Sequence, residues 1–412
     1  MNLTMANMNP FRHAVAADPW QSATADVPEI HQQALVRCQQ ALAETQANGG
    51  TAAVLLYGEP GSGKTHLLAR LRAWLAPAGA PPRGLFISVP LLAGPRMIWR
   101  YLRKRIATDL LRPLPASPDG GVTQLDELLL RHLTDGHDAD RQVLWDRMKT
   151  MARQNNLPAD ELESLFDQLE TRMGMGMDLN LRTVISHLFL QRHLRESRAW
   201  LYGNALPDAA LERLGIAQAE NEDNAEDQAR DTVLTLCALA RREMPIVLCF
   251  DQVESLQMHP GDLTGLFAFG QVLMSLYHGK YPLALISCIQ SEFQEPLRAA
   301  VSGAAWHRIT SDGTVLLPSL TRDQAERLAR ARVDSLPELA SQRPPDADVV
   351  WPLVSADIDA ALDTGGRCTP RKLLGHCAER FAALHIETHQ GPRDQDTLKT
   401  RFEHHQAVSL AR

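Results

Sequence analysis

Eight consecutive residues constrain this chain more than any others: Gly58, Glu59, Pro60, Gly61, Ser62, Gly63, Lys64 and Thr65. An apolar run, Ala52 to Tyr57, precedes them, and His66 to Arg72 follows with apolar residues at helical spacing. The order is strand, glycine loop, helix, with the spacing G-x-x-x-x-G-K-T. Glycines let successive backbone N–H groups curl around phosphate oxygens. Lys64 has the reach for β- and γ-phosphates, and the Thr65 hydroxyl is placed to hold Mg²⁺. A helix starting near Gly63, with His66 in its first turn, adds its positive dipole end. The competing reading, an ordinary glycine turn, does not require all eight positions. Binding of a nucleoside triphosphate, ATP with Mg²⁺, is therefore expected.

Bulk properties narrow the rest. A chain of 412 residues that is 44% hydrophobic and 22% charged has the make-up of a globular protein with two or three domains. No apolar run reaches the length of about 18 residues that spans a bilayer. Met1 to Pro19 lacks the charged start and apolar centre of a signal peptide, so a cytoplasmic location and no membrane contact are expected. The six cysteines show no C-x-x-C spacing and read as buried thiols. A net charge of −7 argues against a surface that binds nucleic acid everywhere. One basic cluster stands out: Arg96, Arg100, Arg103, Lys104 and Arg105, beside Trp99 and Tyr101. It reads either as an amphipathic helix, with Met97, Ile98, Tyr101, Leu102 and Ile106 inward, or as a contact for DNA or a protein partner.

Along the chain, residues 1–23 are polar and irregular. A helix is expected from His31 to about Thr45, closed by Gly49 and Gly50. Further buried strands are expected at 84–90, 245–251, 281–290 and 314–318. Between the second and third of these lie about 150 residues of helical pattern, in segments near 96–112, 123–134, 139–154, 158–173, 179–198 and 207–214. Pro95 and Pro158 read as first-turn prolines, and Thr123 with Asp126 and Glu127 as a helix start. The acidic stretch Glu220 to Asp227 reads as a solvated linker or helix face. The fold class expected is α/β: a parallel-sheet core over 24–317, interrupted by a helical insertion at about 91–230. A helical lid at 318–390 and a polar tail at 391–412 complete the chain.

A phosphate loop needs a second acidic group at the end of a neighbouring strand, where a carboxylate reaches Mg²⁺ through water. Asp251, which ends Ile246 to Phe250, fits that place. With these two elements, and with the order of the polar and basic positions downstream of them, the chain resembles the AAA+ ATPase superfamily, especially its origin-recognition/loader and STAND-like branches. The resemblance covers about residues 24–90 and 231–385. It implies that Val27, Pro28, Ile30 and His31 line the adenine. It places the polar sensor of the next strand at Gln290, with Ser287 as alternate. It places an arginine finger, reaching a neighbour's nucleotide, at Arg308 or else Arg298. Gly366-Arg-Cys-Thr-Pro-Arg371 is similar to the family's lid motif, with Arg371 as its arginine and Pro370 opening a helix.

One position departs from the family. Its acidic strand usually ends in Asp-Glu, and that glutamate polarises the attacking water. This chain reads Asp251-Gln252-Val253-Glu254. An amide is no general base, although it can position water, and Glu254 can substitute if a helix begins at Asp251. Slow hydrolysis is expected. The reading is an ATP-dependent oligomeric switch, a homo-oligomer acting on a protein partner in a multi-component system. The chain also resembles, in general look, ATPases of bacterial phage-defence operons. The alternatives are a DNA-associated loader or transposition-type ATPase, and an ATP-bound scaffold that does not hydrolyse. His376, Cys377, His385 and His389 crowd one region without a strict zinc-finger pattern.

Overall fold

The computed structural model describes residues 9–12, 18–21, 25–92, 94–114, 121–134, 138–154, 159–216, 222–259 and 261–389. They fall into two compact units. The larger contains residues 33–58 and 64–317; the smaller contains 1–32, 59–63 and 318–412.

In the larger unit, α1 (Gln32–Asn48) leads to β1 (Ala52–Gly58), then α2 (Lys64–Leu75) and β2 (Leu85–Pro90). Seven helices come next: α3 (Ile98–Leu110), α4 (Gln124–Leu133), α5 (Asp138–Gln154), α6 (Ala159–Met173), α7 (Leu179–Phe189), α8 (Leu194–Leu201) and α9 (Asp208–Leu214). Then come α10 (Ala225–Ala238), β3 (Ile246–Asp251), α11 (Thr264–His278), β4 (Leu283–Gln290), α12 (Gln294–Ala300), α13 (Gly303–Ile309) and β5 (Thr314–Leu317). The strands form one parallel sheet in the order β2-β3-β4-β1-β5. The apolar runs of β1 to β4 lack alternation because both faces are covered, whereas the edge strand β5 is partly exposed. β3 is buried along its whole length.

The expected strands and most expected helices are present. The segment expected as one helix over 179–198 is two, α7 and α8, because Gln191 and His193 both take left-handed backbone conformations. The acidic stretch is no solvated linker throughout: Glu226, in the first turn of α10, accepts the N–H groups of Trp99 and Arg100 at 3.0 and 3.2 Å. Its carboxylate thus satisfies donors that the first turn of α3 cannot pair internally. Thr123 and Asp126 form the reciprocal cap of α4, as expected. Pro158 lies outside the described residues.

The helical stretch between β2 and β3 is not an appendage. Trp145, Phe166 and Phe189 belong to the same buried cluster as Leu248 and Phe250 of β3. It also seals the edge of the sheet at β2. The Gln124 side chain accepts from Phe86 N at 2.9 Å and donates to Phe86 O at 3.0 Å. Asp109, fully buried, accepts from Ser88 N at 2.7 Å. Arg105 donates to Ser88 O at 3.2 Å. Outward-facing backbone groups of an edge strand template further pairing unless they are covered, and here side chains cover them.

In the smaller unit, β6 (Leu320–Thr321) pairs antiparallel with β7 (Arg367–Cys368). Four helices, α14 (Arg322–Asp334), α15 (Pro337–Ala340), α16 (Ser355–Ala361) and α17 (Pro370–His389), accompany them. Their core holds Leu328, Val333, Ile358, Leu373 and Phe381, together with Phe11, Val27 and Ile30 from the N-terminal side. Phe11 meets Phe381 edge to face at 6.2 Å between ring centres. The side chains of His385 and His389 lie outside the described residues. No group of three metal-ligating side chains occurs among the described residues, and no helix there is long and apolar enough to cross a membrane.

Candidate nucleotide site

The carboxyl ends of β1, β3 and β4 bring the first set of predicted residues together. Open parallel sheets bind ligands where strand order reverses, and here β1 runs between β4 and β5 while β2 lies beyond β3. Gly58 ends β1 directly opposite Gln290, which ends β4. Lys64, buried at the start of α2, donates from Nζ to Gly58 O at 2.7 Å. The Thr65 hydroxyl donates to Asp251 Oδ2 at 2.7 Å. His66 is the next residue of α2 and is half-buried.

Burial raises the pKa of Asp251 above the usual carboxylate range. The Thr65 hydroxyl, the Gln252 N–H and the charge of Lys64 counter that rise. Two oxygen donors, one of them a carboxylate, form a set that suits a hard divalent cation such as Mg²⁺.

Gln252 does not continue the strand. It takes a left-handed conformation, φ 60° and ψ 41°, with an exposed side chain, and its N–H donates to Asp251 Oδ1 at 2.9 Å. A 3₁₀ turn, Val253–Leu256, begins immediately after it. That turn returns Glu254 to the sheet. Gln290 donates to Glu254 twice, from Nε2 at 2.9 Å and from its backbone N at 3.3 Å. The polar pair beside the end of β1 is therefore Glu254 with Gln290. Ser287 is buried inside the sheet between Leu55 and Phe250, three positions short of the strand end.

Arg308, on α13, lies against the last turns of α11. Its guanidinium contacts Met274 Sδ at 3.0 Å and His278 Nε2 at 3.2 Å, and lies 5.6 Å from the centre of the Tyr277 ring. Arg298 is more exposed and pairs loosely with Glu295 at 3.9 Å.

The basic cluster on α3 breaks up. Arg103 is 1% exposed; it donates to the carbonyls of Trp200 and Leu201 and stacks on the Trp200 ring at 4.6 Å. It offers nothing to an outside partner, a correction to the expected contact surface. Arg105 is half-buried and bound to Ser88. Arg96 and Lys104 are exposed, and Arg100 is half-buried. Met97, expected inward, is 54% exposed.

The middle of the phosphate loop, residues 59–63, belongs to the smaller unit. Gly61 and Gly63 have φ of 81° and 101°, conformations that only glycine adopts without strain. A Cβ on Gly61 would fall 2.6 Å from Cβ of Arg371. The Arg371 N–H, in the first turn of α17, donates to Gly61 O at 3.3 Å, and the Arg371 side chain is exposed. His31 also takes a left-handed conformation, φ 55°, and its Nε2 donates to Ser62 O at 2.7 Å. Ser319 donates from its hydroxyl to the Glu59 carboxylate at 2.9 Å. Pro60 lies between these anchored positions. Val27 and Ile30 are 7% and 8% exposed within the core of this unit.

Of the residues expected from the sequence, Asp251 meets Thr65 and Glu254 meets Gln290, whereas the bonds from Ser319 to Glu59 and from His31 to Ser62 were not expected. Ser319 lies 260 positions from Glu59, and nothing in the local sequence signals such a pairing.

The chain is similar in part to known proteins. The family described as an AAA domain matches residues 47–184. The chromosomal replication initiator protein DnaA of Gluconobacter oxydans (strain 621H) is 24% identical over 181 residues, 43% of this chain. The match spans only 36% of that relative's length. Among solved structures, the Aeropyrum pernix ORC1 protein in complex with DNA shares 14% identity. That comparison covers 93% of this chain and 72% of the other, with a TM-score of 0.40. The AAA-domain match, the phosphate loop and the acidic end of β3, carried on a five-stranded parallel sheet, make the chain similar to AAA+ ATPases over part of its length.

Proposed function

We propose that this chain is a slow Mg²⁺-dependent ATPase whose nucleotide state switches an oligomer acting on a macromolecular partner. The observation that carries the reading is the bond between Thr65 and Asp251 at 2.7 Å, which joins the phosphate loop's last residue to the acidic strand end. Lys64 releases Gly58 O to take phosphate oxygens. Thr65 and Asp251 would hold Mg²⁺, which would supply neutralisation of phosphate charge. Glu254 orients and deprotonates the attacking water, and Gln290 holds that carboxylate in place. Gln252 points to solvent and takes no part in proton transfer. Arg371, beside Gly61, is assigned to the bound nucleotide, and Arg308 to the γ-phosphate of a neighbouring copy after leaving its cradle on α11.

Turnover should lie below about 10 s⁻¹, the ordinary enzyme median. Phosphate release by purified protein tests this, and Lys64→Ala should abolish both ATP binding and nucleotide-dependent assembly. Assembly and partner binding left intact in that variant would sink the switch model. The phage-defence resemblance supplies a biological setting, tested by plaque counts on cells carrying the intact chain or Lys64→Ala.

A second reading, a DNA-associated ATPase, is favoured by the similarity to a chromosomal replication initiator and by the exposed Arg96 and Lys104. It predicts DNA-stimulated turnover and a steep loss of DNA binding with salt.

A further inference from the structure

We infer that His31 is a positioning residue for the phosphate loop and acts through the Ser62–Gly63 peptide, rather than on the nucleotide base. The inference rests on the nucleotide-binding reading and assigns His31 a place within that site. Ser62 O accepts from His31 Nε2 at 2.7 Å. The histidine ring also lies 3.7 Å from where a Cβ on Gly63 would stand, so it packs along this peptide. A peptide unit is planar and trans, so its carbonyl and its N–H point in opposite directions. Holding Ser62 O toward His31 therefore aims the Gly63 N–H away from it. That N–H belongs to the set whose convergence makes a glycine loop bind phosphate.

The neighbouring peptide is held in the same manner. Gly61 O accepts from Arg371 N at 3.3 Å. Both glycines have positive φ, so without these anchors the loop has many other conformations open to it. His31 itself is held in a left-handed conformation, which a histidine adopts only when its surroundings impose it. The turn before it is closed by a bond from Ile30 N to Val27 O, and the side chains of both residues are buried in the core of the smaller unit. The histidine is thus presented to the loop by a fixed turn.

The test is binding of Mg·ATP, Mg·ADP and Mg·tripolyphosphate to wild type, His31→Phe and His31→Gln. Tripolyphosphate has no base, so it reads the loop alone. Phenylalanine keeps the ring and loses the donor. Glutamine keeps a donor at similar reach. His31→Phe should weaken all three ligands by the same factor, about fivefold for one hydrogen bond. His31→Gln should restore all three. Weakened ATP binding with unchanged tripolyphosphate binding would place His31 on the base and overturn the inference, as would unchanged binding of all three. Wild-type protein that takes ATP but not tripolyphosphate overturns it alone. Wild-type protein that takes neither overturns the nucleotide reading and this inference with it.

Discussion

Gln252 stands at φ 60° where a strand would ordinarily run on, and the consequences reach the chemistry. A left-handed residue costs a non-glycine chain roughly 1 to 3 kcal/mol and persists where surrounding structure imposes it. Here it turns the chain out of β3, sends its own amide to solvent and brings Glu254 under Gln290. The carboxylate bonded to the end of β4 thus comes three positions after Asp251, not one. Glu254→Gln should therefore lower turnover by about a hundredfold or more, as loss of a general base does, with little change in ATP affinity. Single-turnover phosphate release alongside nucleotide titration checks this. If Glu254→Gln is silent while Gln252→Glu raises turnover steeply, position 252 is the one that faces the water. The Asp251-Gln252-Val253-Glu254 run was readable in the sequence, but which of its side chains turns back to the sheet was not. That choice depends on one backbone conformation and on the partner at the end of β4.

At the scale of elements, the strands and most helices were legible because burial writes itself as apolar runs and helical spacing. The break between α7 and α8 was not, because it rests on left-handed backbone at Gln191 and His193, residues that carry no turn signature. Nor was the sealed edge of the sheet. Gln124 reads in sequence as one more polar residue at a helix start. Folded, it is buried and pairs with both backbone groups of Phe86 and with Asp109 O, the last at 2.7 Å. Gln124→Ala would take the amide away from both backbone groups of Phe86, at a cost of about 1–3 kcal/mol each before relaxation, whereas Asp109 O keeps the N–H of Arg112 at 3.1 Å. A net loss of about 2–4 kcal/mol in the larger unit is expected from urea unfolding. A loss under about 0.5 kcal/mol, the ordinary surface value, would mean that water replaces the amide and that the helices are not integral to the sheet.

For the molecule as a whole, two units with separate cores bear on any stability measurement, because two-state behaviour is not to be assumed for them. Within the larger unit, His132 of α4 donates to Leu239 O at 2.9 Å and is 3% exposed. Burial pushes its pKa down from 6.5 to about 4. A depressed folded pKa means that the unfolded chain takes up the proton first. The stability it represents is present above pH 6.5 and is lost as pH falls through about 4. Asp126 runs the other way: burial raises its pKa to about 6, so its contribution is present at low pH and lost as pH rises through that value. Comparing wild type with His132→Gln cancels the second effect. Between pH 7.5 and 4.5 the wild type should lose about 2–3 kcal/mol more than the variant. Equal losses would mean that His132 is hydrated in solution.

The sequence by itself determined the phosphate loop, the order of strands along the chain and the positions of Asp251, Glu254 and Gln290. Glycine spacing, apolar runs and strand-terminal polar residues are local properties and survive without a fold. Tertiary structure alone decided the rest: that Arg103 is sealed against Trp200, that helices close the edge at β2, that Glu254 rather than Gln252 meets Gln290, and that His31 grips Ser62. Each of these joins groups that are distant in sequence or depends on the handedness of a single residue. Such pairings are selected by burial and by the need to satisfy every buried polar group, conditions that exist only once the chain has folded.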